Sequence, residues 1–210
     1  MAYFVKEIFY SLQGEGLQTG RAAVFCRFTG CNLWSGREED RATAICKFCD
    51  TDFIGTNGQN GGKFHDAQSL AAKVAESWLP VGGKPQVICT GGEPLLQLDS
   101  SLVEAFHQVG FEIAIETNGT IKPPANIDWI CVSPKANAPL ILDSGDELKL
   151  IFPQIGVSPD LFKDLNFKYF FLQPMNDTQL NNNTQLALRY CLEHPQWRIS
   201  LQTHKLLDIQ

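Results

Sequence analysis

Six short segments, Ala22 to Phe28, Gln86 to Thr90, Glu112 to Glu116, Trp129 to Ser133, Glu147 to Phe152 and Tyr169 to Gln173, are nearly continuous apolar runs. This constrains the fold more than any other feature of the chain. Runs of that kind belong to parallel strands covered on both faces, because a half-exposed strand alternates apolar with polar residues. Most end in polar or glycine-rich residues: Thr90-Gly91-Gly92-Glu93, Glu116-Thr117-Asn118-Gly119, Ser133-Pro134-Lys135 and Gln173-Pro174-Met175-Asn176. In a barrel of parallel strands the C-terminal strand ends carry the active site.

Asp66 to Trp78, Asp99 to Val109 and Thr184 to Glu193 carry apolar residues at helical spacing, with Asp66 placed to cap the first and Pro195 to stop the third. Six strands and about three full helices fall short of a closed eight-fold barrel, which takes about 250 residues. The expected fold is therefore α/β, an incomplete, open β/α barrel of about six mainly parallel strands, as one domain over 1–210. Phe4 to Tyr10 is read as an added edge strand and Ser158 to Leu165 as about two helical turns. Gly55 to Lys63, with four glycines and two asparagines, is read as a mobile loop.

The formal net charge of -6 and a pI near 5.2 exclude a broad basic surface for nucleic acid and favour a small-molecule substrate. Seven cysteines, an odd number, fall mostly in strand interiors, and the start Met1-Ala2-Tyr3-Phe4-Val5-Lys6 has no basic stretch followed by an apolar signal core. No disulfide framework and a cytoplasmic location are expected. No apolar stretch approaches the ~20 residues that span a bilayer, so no membrane partner is expected.

Cys31, Cys46 and Cys49 are separated by fourteen and two residues. Three thiolates leave one coordination position open, whereas the usual iron-sulfur cubane takes four. Adding Cys26 gives four, the count of a closed zinc site; but Ala22 to Phe28 reads as a strand with Val24, Cys26 and Phe28 on one face and Arg27 on the other, which makes Cys26 a buried hydrophobe. A structural zinc and a metal-free thiol cluster stay as alternatives. Cys89, Cys131 and Cys191 read as core. The Gly91-Gly92-Glu93-Pro94 run, by itself, is equally a strand-to-helix turn.

Eight fragments in order carry a resemblance over nearly the whole chain: Ser11 to Gly16, Arg27 to Leu33, Cys46 to Thr51, Thr90 to Pro94, Glu116 to Gly119, Ser133 to Lys135, Gln173 to Asn176 and Gln202 to Lys205. By these the sequence resembles the 7-carboxy-7-deazaguanine synthases of the radical S-adenosylmethionine superfamily. The resemblance implies a 4Fe-4S cluster on Cys31, Cys46 and Cys49, and S-adenosylmethionine bound by Lys47, Phe48, Cys49, Asp50, Gly92, Glu93, Ser133, Pro134, Lys135, Gln173, Pro174, Met175 and Asn176. It implies Mg2+ at Thr51. The substrate, 6-carboxy-5,6,7,8-tetrahydropterin, would meet Leu12, Gln13, Gly14, Glu15, Arg27, Thr90 and Gln210, with Arg27 clamping its carboxylate, Glu15 or Gln13 reading the ring edge, and His204 in support. The product would be 7-carboxy-7-deazaguanine, formed with loss of ammonia. A flavodoxin-like or other one-electron reductant and a homodimer are implied partners.

The superfamily's first cysteine gap is three residues and here it is fourteen. The insertion, about 34–45, is expected to loop out and to shield a cluster edge with Trp34 and Ile45. Two rival readings are a radical enzyme that activates a glycyl-radical partner, for which no second cysteine cluster is present, and a small zinc-stabilised binding domain.

Overall fold

The computed structural model describes residues 2–79 and 82–210. Nine strands form one sheet: β1 Tyr3–Leu12, β2 Ala22–Phe28, β3 Gly62–Phe64, β4 Gln86–Gly91, β5 Glu112–Thr117, β6 Trp129–Val132, β7 Ser144–Phe152, β8 Asn166–Pro174 and β9 Trp197–Ile199. From β2 the order runs β4, β5, β6, β7, β8, β9, all parallel, while β1 and then β3 add antiparallel strands beyond β2. Among the described residues the sheet ends at β3 and β9 and does not close. The helices are α1 Ala67–Ser77, α2 Ser100–Gln108, α3 Leu180–Glu193 and a short α4 Thr203–Leu207.

Alternation along the strands divides the molecule. Val24, Cys26, Val87, Cys89, Ile113, Ile115, Leu148, Leu150 and Leu172 point to the helix side and join α1 residues Leu70 and Val74 in the main core. Each such leucine or isoleucine, fully buried, contributes about 1.5–3 kcal/mol. The residues between them point to the other face, where Ala23, Ile88 and Ala114 form a smaller apolar cluster with Phe25 and Trp129. Two residues further along those strands, on the same face, stand Arg27 after Phe25, Thr90 after Ile88 and Glu116 after Ala114. The apolar layer thus floors a polar one at the C-terminal strand ends.

The helix starts follow from their caps. Asp66 accepts from Ser69 N at 2.7 Å, and Asp99 from Leu102 N at 2.9 Å while holding the Tyr3 hydroxyl at 2.8 Å. Helix α3 begins four residues before the sequence reading; within its first turn Asn183, 4 % exposed, donates to Met175 O and Asp177 Oδ1.

Several expectations are corrected. Among the described residues there are nine strands where the sequence reading has six apolar runs and an added strand at Phe4 to Tyr10; the three-residue β3 and β9 are not foreseen there. β1 is not an edge, since β3 lies outside it. The Gly55 to Lys63 segment is docked on β1: Ile8 N donates to Gln59 O at 2.7 Å, Gly58 N donates to Lys6 O at 2.9 Å, and a Cβ on Gly61 would stand 2.1 Å from Lys6 O. Its glycines permit close approach. Ser158 to Leu165 forms a single 3-10 turn, Pro159–Leu161. Cys26, Cys89 and Cys131 are buried as expected, and Cys191 is half-buried. Among the described residues no helix is long and apolar enough to cross a membrane.

Candidate active site

A cavity of about 450 Å³ opens at the C-terminal ends of the parallel strands. One wall carries sulfur. β2 ends at Phe28, and the turn that follows lies against the turn after β4: Glu93 N donates to Gly30 O at 2.9 Å. A Cβ on Gly92 would sit 2.1 Å from Gly30 O and 2.8 Å from Cys31 Cβ, so the glycine is required by the cysteine turn beside it. Glu93 is fully buried and saturated by Leu95 N (3.0 Å), Thr117 Oγ1 (2.8 Å) and Asn118 N (2.8 Å). It braces the ends of β4 and β5 together.

The long gap between Cys31 and Cys46 closes on itself. Ile45 N and Cys46 N both donate to Leu33 O, at 3.1 and 3.2 Å, which returns the chain to Cys31 after the excursion. Cys31, Cys46 and Cys49 then share the cavity wall as free thiols. The neighbouring Cys46 thiol, with donation from Thr51, holds the Cys49 thiol down at about 6, while Cys49 and burial push Cys46 up. Burial pushes Cys31 up. Among the described residues no three His, Cys, Asp or Glu side chains form a finished metal-binding group, so the thiols share a wall rather than a completed coordination sphere. Lys135 donates to Ser133 O at 2.6 Å and Ser133 Oγ at 2.7 Å beside them, its pKa lowered by burial while the charge of nearby thiolates opposes the shift.

The opposite wall is built of strand residues. Arg27 faces the cavity with Nε on Glu7 Oε1 at 2.8 Å; among the described residues its two Nη groups have no side-chain partner. Lys149 is 3 % exposed and lies 2.5 Å from Glu15 Oε2 and 3.5 Å from Glu116 Oε1. Gln13 donates to Glu116 Oε1 at 2.8 Å and Gln202 to Glu15 Oε1 at 2.9 Å. Burial works to raise the Glu15 carboxyl, but Lys149 and its neighbours bring it down to about 2. Burial works against the Lys149 ammonium, and Glu116 and Glu15 hold its pKa well above the usual value.

The C-terminal segment crosses this wall. Thr203 N and Oγ1 donate to Gly14 O at 2.9 and 3.0 Å, and a Cβ on Gly14 would meet His204 Nδ1 at 2.3 Å. Ser11 donates to Gln210 O at 2.7 Å, and Lys205 reaches Asp50 at 2.6 Å.

The cavity gathers Leu12, Gln13, Gly14, Glu15, Arg27, Thr90, Gln210, Phe48, Cys49, Asp50, Thr51, Gly92, Ser133, Lys135 and Gln173 to Asn176. Three expected residues are not brought to it. Glu93 is the buried brace, Pro134 is buried with its carbonyl bonded by Gln154 at 3.3 Å, and Lys47 is exposed. Trp34 and Ile45 are also absent from the lining: Trp34 is buried edge-on against Phe53 and Ile45 is 42 % exposed, so Leu33 and not the insertion's tip meets the cavity. Sequence reasoning missed Lys149, Glu116 and Gln202. The signal for the first two was a charge at an alternate position inside an otherwise apolar strand, Glu147-Leu148-Lys149-Leu150 and Ile113-Ala114-Ile115-Glu116.

No family model matches the chain. Over 209 residues, covering 100% of both chains, it is 61% identical to a 7-carboxy-7-deazaguanine synthase of Caulobacter vibrioides and 60% identical to one of Bordetella pertussis. A protein of the same name from Haemophilus influenzae is 32% identical, over 98% of this chain and 93% of its own. Among solved structures, the crystal structure of QueE from Escherichia coli matches with a TM-score of 0.73 at 26% identity, over 96% of this chain and 94% of that chain.

Proposed function

The chain belongs to the 7-carboxy-7-deazaguanine synthases, and on that premise we propose that it converts 6-carboxy-5,6,7,8-tetrahydropterin to 7-carboxy-7-deazaguanine with release of ammonia, as a radical S-adenosylmethionine lyase of queuosine biosynthesis. The observation that carries the reading is one cavity with three free thiols on one wall and a guanidinium with an ionised carboxylate on the other. That donor set fits a cluster with one iron left open to a second ligand. Cys31, Cys46 and Cys49 would hold a 4Fe-4S cluster. Phe48, Asp50, Gly92, Ser133, Lys135 and Gln173 to Asn176 would hold S-adenosylmethionine, with Glu93 and the Pro134 carbonyl bracing the strand ends behind them and Lys47 contributing only its backbone to the cysteine loop. When bound, cluster and cofactor supply the one-electron chemistry that removes a hydrogen atom from the substrate.

The chain's own residues place that substrate. Arg27 offers its two Nη groups to the pterin carboxylate as a bidentate fork, aimed by Glu7. Thr90, its register partner on β4, adds a hydroxyl beside it. Glu15, kept ionised by Lys149, accepts from N–H groups on the ring edge. Leu12, Gln13, Gly14 and Gln210 close the same side. Thr51 would supply one oxygen to Mg2+, the rest coming from water and substrate. The enzyme would act as one domain, in the cytoplasm, as a homodimer, with a flavodoxin-like or other one-electron reductant. Anaerobic reconstitution with iron and sulfide, followed by incubation with the pterin, S-adenosylmethionine and a reductant, tests this: a brown protein that forms the deazaguanine acid is expected. Protein that takes up no iron, or leaves the pterin unchanged, overturns it.

A further inference from the structure

The excursion between Cys31 and Cys46 contains one side chain that reaches the far cysteines. Arg41 Nη1 donates to the backbone oxygens of Lys47 at 3.0 Å and Cys49 at 3.1 Å. Its Nε donates to both oxygens of Glu38, at 2.7 and 2.8 Å. The guanidinium lies over the Trp34 ring, 4.0 Å from its centroid, and Trp34 is itself anchored by Phe53 and by its indole N–H on Arg37 O at 3.1 Å. The segment from Cys46 to Thr51 has no helix or strand to hold it. A single planar cation bonded to two carbonyls of that segment, and fixed on its other edge and face, does so instead.

We propose that Arg41 is a positioning residue for the iron-sulfur centre: by clamping the Lys47 and Cys49 carbonyls it presets the spacing of the Cys46 and Cys49 sulfurs, and its charge beside Cys49 favours the reduced cluster. The proposal rests on the function given above. It also assigns the inserted residues a task other than shielding, because the insertion brings Arg41 within reach of Cys49. Lysine cannot replace it fully, since an ammonium lacks the fork and the flat face that meets the indole.

The test uses anaerobically reconstituted full-length wild type, Arg41→Ala and Arg41→Lys, with three readouts: iron and sulfide content, the rate of iron loss to a chelator, and the midpoint potential followed by electron paramagnetic resonance. Arg41→Ala is expected to lose iron about tenfold faster or more, as for other outer contacts of metal ligands, and to show a lower potential, because removing a nearby cation disfavours the added electron. Arg41→Lys is expected to recover the potential but not the retention. Wild-type rates and potential in Arg41→Ala overturn the proposal; faster loss with unchanged potential overturns its electrostatic half. Should Arg41→Ala not be recovered folded, wild-type iron retention in Arg41→Lys overturns the clamp. Wild type that binds no iron fails differently, by removing the functional reading itself.

Discussion

The two walls of the cavity are built differently. Cys31, Cys46 and Cys49 sit on irregular backbone held by amide and carbonyl contacts such as Glu93 N to Gly30 O and Cys46 N to Leu33 O. Arg27 on β2, Thr90 on β4, Glu116 on β5, Lys149 on β7 and Gln173 on β8 are inward residues of parallel strands, placed by the sheet. On the first wall the cysteines proposed as ligands matter directly, and side chains such as Glu93 matter through the backbone turns they hold. On the second, the scaffold is rigid and the cost of a change is electrostatic, because charges lie opposite one another in a poorly hydrated layer.

The sharpest contrast lies within the cysteines. Cys31→Ala, Cys46→Ala and Cys49→Ala are each expected to abolish cluster assembly, whereas Cys26→Ala keeps it, since Cys26 is buried against Cys89 on the helix side. Iron quantification decides, and a folded Cys26→Ala protein without iron would restore a four-ligand site.

Next in size, Lys149→Met leaves Glu15 and Glu116 facing each other without a cation. Breaking a buried pair by removing one partner costs about 3–5 kcal/mol, measurable as a lower urea midpoint. The pH dependence has a definite sign. Glu15 is held down to about 2 from its ordinary 4.5, so its contribution is fully present above about 4.5 and fades as pH falls toward about 2. The gap between wild type and Lys149→Met should therefore narrow in acid. A gap that widens below pH 4.5 would mean that the Glu15 carboxylate is not the group Lys149 stabilises.

Arg27→Lys separates the walls by ligand. A charge-assisted hydrogen bond is worth about 1.5–3 kcal/mol, so losing one arm of the fork should weaken pterin binding about tenfold or more while S-adenosylmethionine binding holds. Separate titrations of the two ligands check it; equal losses would make Arg27 only a partner for Glu7. Smallest is Lys205→Ala, which removes an ion pair to Asp50 whose side chains are 38% and 52% exposed. Pairs this open contribute about 0–1 kcal/mol. A thermal shift larger than about 3 °C for this variant would show that the C-terminal segment is coupled to the cysteine loop more tightly than one exposed contact allows.

The cysteine wall was largely legible in the sequence because ligands and glycine turns are local: Cys46-Lys47-Phe48-Cys49 and Gly91-Gly92 mark themselves by residue type. What could not be read there was the manner of support. Nothing local shows that Glu93 turns inward to brace Thr117 and Asn118, because its partners lie 24 and 25 residues away. The polar wall was legible only where a motif named its members, as at Gln13, Glu15 and Arg27. Lys149 was hidden because a charge inside an apolar strand acquires meaning only when another strand presents the opposite charge.

The amino-acid sequence by itself determined the kind of fold and pointed to the family: apolar runs too continuous for an exposed sheet, helices between them with their caps, and eight fragments in order that carry the resemblance. The tertiary structure decided where these meet. Short strands such as Gly62–Phe64 and Trp197–Ile199 carry too few residues to declare themselves and exist because a neighbouring edge offers hydrogen bonds. The glycines of the Gly55 to Lys63 segment resemble those of a free loop until Lys6 lies 2.1 Å from the Cβ that Gly61 lacks. Pairing of Lys149 with Glu15 spans 134 residues: β7 sets where Lys149 stands, and the loop after β1, held by Gln202 and Thr203, brings Glu15 to it, an assembly that no local stretch of residues contains.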